Sequence, residues 1–123
     1  MANAGEIREP DTVAHHIVSA TSPDTQDARD ILEKYLRNTT PVGEETFNNE
    51  INRVYLPNIN NQDLSVPGIR HNGRHPRDYN IKVNNKIVDA DKRGGWLEVK
   101  KELKDIKQSL LSADRDDKWK DMP

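Results

Sequence analysis

The chain contains no cysteine. Disulfide bridges and thiolate metal sites are therefore excluded, and nothing in the sequence reports a redox compartment. No run of 18 apolar residues occurs, so no transmembrane helix is expected. Residues 1–12 carry Glu6, Glu9 and Asp11 and lack an apolar segment, which is not the pattern of a secretory signal. Export would need a signal outside this chain, and the start reads as a domain cut from a longer protein. Aromatics are scarce, with one Phe, two Trp and three Tyr. Leu, Ile, Val and Phe together make up 21% of the chain, close to the level of about 20% below which disorder is expected. Mean hydropathy is −0.99. A strong excess of one charge is also missing: the net charge is −2, so self-repulsion does not hold the chain open. With 123 residues, these features point to one domain with a small core and long polar loops, to whose stability a bound metal would contribute.

The balanced total conceals an asymmetry. Residues 1–69 hold 5 basic and 11 acidic side chains, whereas residues 70–107 hold 11 basic and 6 acidic ones. The basic part is where a polyanion would dock, and the acidic part suits a basic partner or simply water.

Local patterns give a mixed α+β chain. Residues 13–18 are rich in β-branched side chains and suit a strand. Ser22-Pro23-Asp24 is a helix start, and Ala28, Ile31, Leu32, Tyr35 and Leu36 form a helical stripe, so a helix is expected over 23–37. Val54 and Leu56 alternate in a short strand over 53–56, closed by Pro57. An asparagine-rich loop without periodicity follows. Asn72-Gly73 is a tight-turn dipeptide. Pro76 starts the next helix, whose stripe is Tyr79, Val83, Ile87 and Ala90 and which runs to about 92. Gly94-Gly95 breaks it. Trp96, Val99, Leu103, Ile106 and Leu110 mark a last helix over 95–111, with Lys100, Lys101, Lys104 and Lys107 on its solvent face. The tail over 112–123 is polar apart from Trp119 and is expected to be loose, giving a flexible segment 1–12, a domain 13–111 and a tail 112–123.

All four histidines fall in two short pieces, Ala14-His15-His16-Ile17-Val18 and His71-Asn72-Gly73-Arg74-His75. The Asn72-Gly73 turn would fold His71 and His75 towards each other. A histidine by itself is more often a core or surface residue than a ligand, but two such pairs together have the pattern of a metal site. Imidazole is the commonest transition-metal ligand and suits zinc and nickel better than calcium. Three histidines with an open position make a catalytic site, and a fourth beside it suits a general base. Phosphodiester hydrolysis needs these parts. Arg70, Arg74 and Arg77 interleave with the second pair and are suited to hold phosphate. In an ideal strand His15 and His16 face opposite ways, so they meet one site only where the strand distorts or ends.

These pieces, with Ala28-Arg29-x-Ile31-Leu32, Asn52-x-Val54-Tyr55-Leu56-Pro57, His71-x-Gly73-x-His75 and Tyr79, resemble the AHH family of the HNH/endonuclease VII nucleases. The resemblance runs from about 13 to 88. It implies a small ββα-metal core with additional helices. It also implies His15, His71 and His75 as metal ligands and His16 as general base. Asn52 would be the HNH asparagine, with Asn48, Asn49 and Asn72 as rival positions. Arg74 would join His16 and Asn52 among the catalytic residues, and Arg70, Arg74 and Arg77 would bind nucleic acid. The cofactor would be zinc, nickel or magnesium. By resemblance, the domain would be the toxin module of a secreted bacterial effector, delivered into the target-cell cytoplasm and paired with an immunity protein.

The expectation is thus a metal-dependent DNA endonuclease with weak sequence preference and strong salt dependence. A ribonuclease on the same site is the nearest alternative. A non-catalytic module, with all four histidines closing one zinc site, is the alternative from another class. A small helical binding domain with histidines unrelated to metal is the bland one. Plain readings also stand beside the other residues. Trp96 suits anchoring of the last helix better than base stacking, and Tyr79 suits packing against the metal site. The lysine face suits solvent, and the acidic helix over 24–33 suits solvent or an immunity partner.

Overall fold

The computed structural model describes residues 11–37, 50–58, 60–63, 65–71 and 76–122. Strand β1 (Thr12–His16) pairs antiparallel with β2 (Arg53–Pro57), placing His15 opposite Val54 and His16 opposite Arg53. Between them lies α1 (Gln26–Leu36). After the hairpin come α2 (Arg77–Gly94) and α3 (Trp96–Ser112). The fold class is α+β, as the sequence implied.

Each expected stripe faces one common core. Ala28, Leu32 and Leu36 of α1, Tyr79, Val83, Ile87 and Ala90 of α2, and Val99, Leu103, Ile106 and Leu110 of α3 are all buried, together with Val54 and Leu56 of β2. Burying each aliphatic side chain of this kind contributes about 1.5–3 kcal/mol. The stripes of α2 and α3 therefore pack within the chain. Ser22 Oγ accepts from Asp24 N at 3.1 Å and starts a short 3-10 turn, Pro23–Thr25, that leads into α1. Pro76 takes the cap position with extended ψ of 146°, so α2 begins one residue later than expected. The break between α2 and α3 needs a positive φ, and Gly95 supplies it at 66°. Trp96 stacks on Tyr35, ring centres 5.1 Å apart and 22° from parallel, and so ties α3 to α1.

Three local expectations change. Lys107 is buried rather than on the solvent face. It lies four residues after Leu103 and three before Leu110, so it shares the apolar stripe and buries its aliphatic stem there. Pro57 does not end the hairpin from outside: it is the last residue of β2, and its carbonyl accepts from His71 N at 2.8 Å. The tail is not loose. Residues 119–121 form a 3-10 turn, and Trp119 packs against the core. The described residues of the asparagine-rich loop are tied by side chains that mimic turns. Asn58 Oδ1 accepts from Asn60 N, Asn61 Oδ1 from Asp63 N, and Asp63 Oδ1 from Ser65 N. At its end Gly68 has φ of 110°, and a Cβ there would lie 2.7 Å from Leu56 Cδ2. This close approach lets Ile69 N donate to Leu110 O at 3.0 Å. No helix among the described residues is long and apolar enough to cross a membrane.

Candidate active site

Strand alternation divides the first histidine pair. His15 points inward and is 1% exposed, whereas His16, the last residue of β1, is half-buried on the other face. The Tyr79 hydroxyl, from the first turn of α2, lies 2.9 Å from His15 Nε2 and 3.3 Å from Ile17 O. Burial pushes the Tyr79 phenol far above its usual pKa, so it is a neutral hydroxyl with one proton to give. When that proton goes to Ile17 O, Oη accepts from His15 Nε2–H, which leaves Nδ1 as the lone-pair nitrogen of the ring. Replacing Tyr79 by Phe is expected to destabilise the chain by about 1–3 kcal/mol, because a buried histidine nitrogen loses its hydroxyl. A denaturant titration reads this directly, and an unchanged midpoint would refute it.

The second piece arrives along a pinned backbone. Ile69 N is held by Leu110 O, Arg70 N by Arg115 O, and His71 N by Pro57 O. These three bonds bring the His71 ring to 5.3 Å from the His15 ring, centre to centre. Burial lowers the His71 pKa and so keeps its imidazole neutral, the form that binds metal. Trp119 completes the cluster: its ring centre is 5.0 Å from His15, 5.8 Å from His71 and 5.1 Å from Tyr79.

Two imidazoles sharing a tetrahedral zinc, with nitrogen at about 2.0–2.1 Å from the ion, hold their ring centres roughly 5 Å apart. The His15–His71 separation fits such a shared ion, and neutral nitrogen donors suit it chemically. Among the described residues no group of three or more His, Asp or Glu side chains forms a metal cluster. His75, Arg74 and the Asn72-Gly73 turn lie outside the described residues, as do Asn48 and Asn49.

Asn52 is fully buried at the end of a 3-10 turn that leads into β2. Its Oδ1 accepts from Val18 N at 2.8 Å and its Nδ2 donates to Val18 O at 3.1 Å. Its own carbonyl accepts from Ile17 N at 2.9 Å. Asn52 thus clamps the chain immediately after His16. Arg77, one of the expected phosphate binders, is exposed and pairs with Asp24 at 3.1 Å. Arg70 is half-buried, and its carbonyl accepts from Trp119 Nε1 at 2.8 Å.

A model of the AHH family, described as a nuclease family of the HNH/ENDO VII superfamily with conserved AHH, matches residues 1–110. The chain belongs to the AHH family. The fold agrees: an antiparallel strand pair and the following α2 are what a small HNH-like nuclease core requires. No curated protein and no solved structure matches the chain. As an AHH nuclease, the chain carries the Ala-His-His of the family's name at 14–16, on the strand that opens the described fold. A single aromatic in a polar tail has no periodicity to betray contacts with His15, His71 and Tyr79, which lie 104, 48 and 40 residues back along the chain, so the sequence pattern leaves Trp119 out of the site.

Proposed function

We propose that this AHH nuclease is a metal-dependent endonuclease that hydrolyses DNA phosphodiester bonds. The observation that carries the reading is the pairing of buried His15 with half-buried His71, ring centres 5.3 Å apart, with His16 next in the chain at the end of β1. His15 and His71, joined by His75, would hold zinc, nickel or magnesium. A bound divalent cation would supply Lewis-acid stabilisation of charge on the scissile phosphate and the leaving oxygen. His16 takes a proton from water, and the water attacks phosphorus in line and displaces the 3′ oxygen. Asn52 keeps His16 in place through its bonds to Val18. Arg70, Arg74 and Arg77 hold phosphates. Arg77 already engages one carboxylate, so it exchanges Asp24 for phosphate rather than ordering from a free state.

We also propose, on the family resemblance alone, a role as an antibacterial effector domain that acts in a target cell and is neutralised by an immunity protein. The test is plasmid cleavage with zinc, nickel or magnesium added in turn. Nicking that EDTA abolishes and one of these metals restores is the expected result. A folded chain that cuts neither DNA nor RNA with any of them refutes the nuclease mechanism, and cleavage of RNA alone moves the substrate.

A further inference from the structure

The family match ends at residue 110, yet the histidine cluster is closed by a residue beyond it. Trp119 touches three members of that cluster at once: its ring meets Tyr79 at 89° and His71 at 83°, both edge-to-face, and His15 at a tilt of 55°. Edge-to-face pairs of this kind contribute about 0.5–1.5 kcal/mol beyond area burial and fix ring orientation. The indole Nε1 donates to Arg70 O, one residue before His71.

The segment that carries Trp119 is itself tied on both sides. Arg115 Nη1 donates to Asn61 O, and its Nη2 donates to Asp63 O at 2.8 Å and Val66 O at 3.1 Å. The Arg115 carbonyl accepts from Arg70 N. On the other side, Lys82 Nζ of α2 donates to Lys120 O at 2.7 Å. The tail therefore bridges the loop that delivers His71 and the helix that delivers Tyr79.

We propose that Trp119 is a positioning residue of this site, holding the His15 and His71 imidazoles at the separation and tilt that a shared divalent cation needs. The proposal rests on the reading of those two histidines as metal ligands. It assigns the last dozen residues to the working site rather than to a spacer. Hydrogen-bond partners that orient metal ligands are worth about 10–100-fold in metal affinity or activity when removed, which sets the upper scale for losing this aromatic wall.

The experiment titrates zinc into the metal-free full chain by calorimetry for the wild type, Trp119→Phe, Trp119→Leu and Trp119→Ala. The same four chains are then compared in single-substrate DNA cleavage. Trp119→Phe keeps an aromatic wall and is expected to bind zinc within about threefold of wild type, whereas Leu and Ala bind about tenfold or more weakly. Their kcat falls while KM for DNA stays within about twofold, since the tryptophan orients ligands and does not hold substrate. If the alanine variant fails to fold, the Phe and Leu pair carries the comparison. Equal zinc affinity across the series overturns the proposal. So does tighter binding in the Leu or Ala chain, which would make the ring an obstruction, and so does a wild type that binds no zinc. A graded loss of zinc affinity in chains that cut no nucleic acid upholds the positioning role and refutes the nuclease reading, so the two fail separately.

Discussion

His16→Ala is expected to cut DNA about 10²–10⁴-fold more slowly than wild type while folding normally. The chemical part follows from the loss of the only group proposed to accept the water proton. The structural part follows from position. His16 ends β1 on the half-buried face, so its removal leaves no closed cavity, and the cost to stability is expected to stay near 1 kcal/mol. His15→Ala is the contrasting case. That ring is 1% exposed and is packed by Tyr79, His71 and Trp119, so its loss opens a void among aromatic rings. Stability is expected to fall by about 2–5 kcal/mol, together with metal affinity. Single-turnover cleavage and thermal melts on the two variants separate chemistry from scaffold. A His16→Ala chain that cleaves at the wild-type rate eliminates His16 as the base.

That contrast was half legible in the sequence. Two adjacent histidines in a β-branched stretch implied opposite faces in an ideal strand and a shared site only where the strand ends, and the strand does end at His16. The helical stripes were legible because burial repeats every three to four residues, and the α2–α3 break because two glycines interrupt that repeat. What escaped was everything held by single long-range contacts. Trp119 meets rings at positions 15, 71 and 79, and Arg115 reaches carbonyls at 61, 63 and 66. Neither residue stands in a periodic segment, so neither leaves a pattern. Lys107 was misplaced for a different reason. Its charge suggests solvent, but its phase on the helix puts its stem in the core, and phase prevailed. The meeting of His15 with His71 was expected from the two histidine pieces, but the means was not legible: three backbone bonds pin residues 69–71 to Leu110, Arg115 and Pro57.

Asn52 illustrates how a residue without contact to substrate can control the rate. Asn52→Ala removes the acceptor for Val18 N and the donor for Val18 O, and Val18 is fully buried. Two main-chain groups then lie in the core without their partner, at about 1–3 kcal/mol each. Against a typical total of about 5–15 kcal/mol, the chain is expected to fold at 25 °C with a clearly lowered denaturant midpoint. Activity is expected to fall further than the unfolded fraction explains. The side-chain clamp holds Val18, two residues after His16, and a displacement of about 1 Å at a reacting group costs on the order of 10²-fold. If Asn52 acts through His16, the double variant His16→Ala with Asn52→Ala should cut no more slowly than His16→Ala alone. Rate losses that multiply would mean that Asn52 works independently of His16. An unchanged midpoint in Asn52→Ala would mean that the two bonds to Val18 contribute nothing, and the clamp would have to be abandoned.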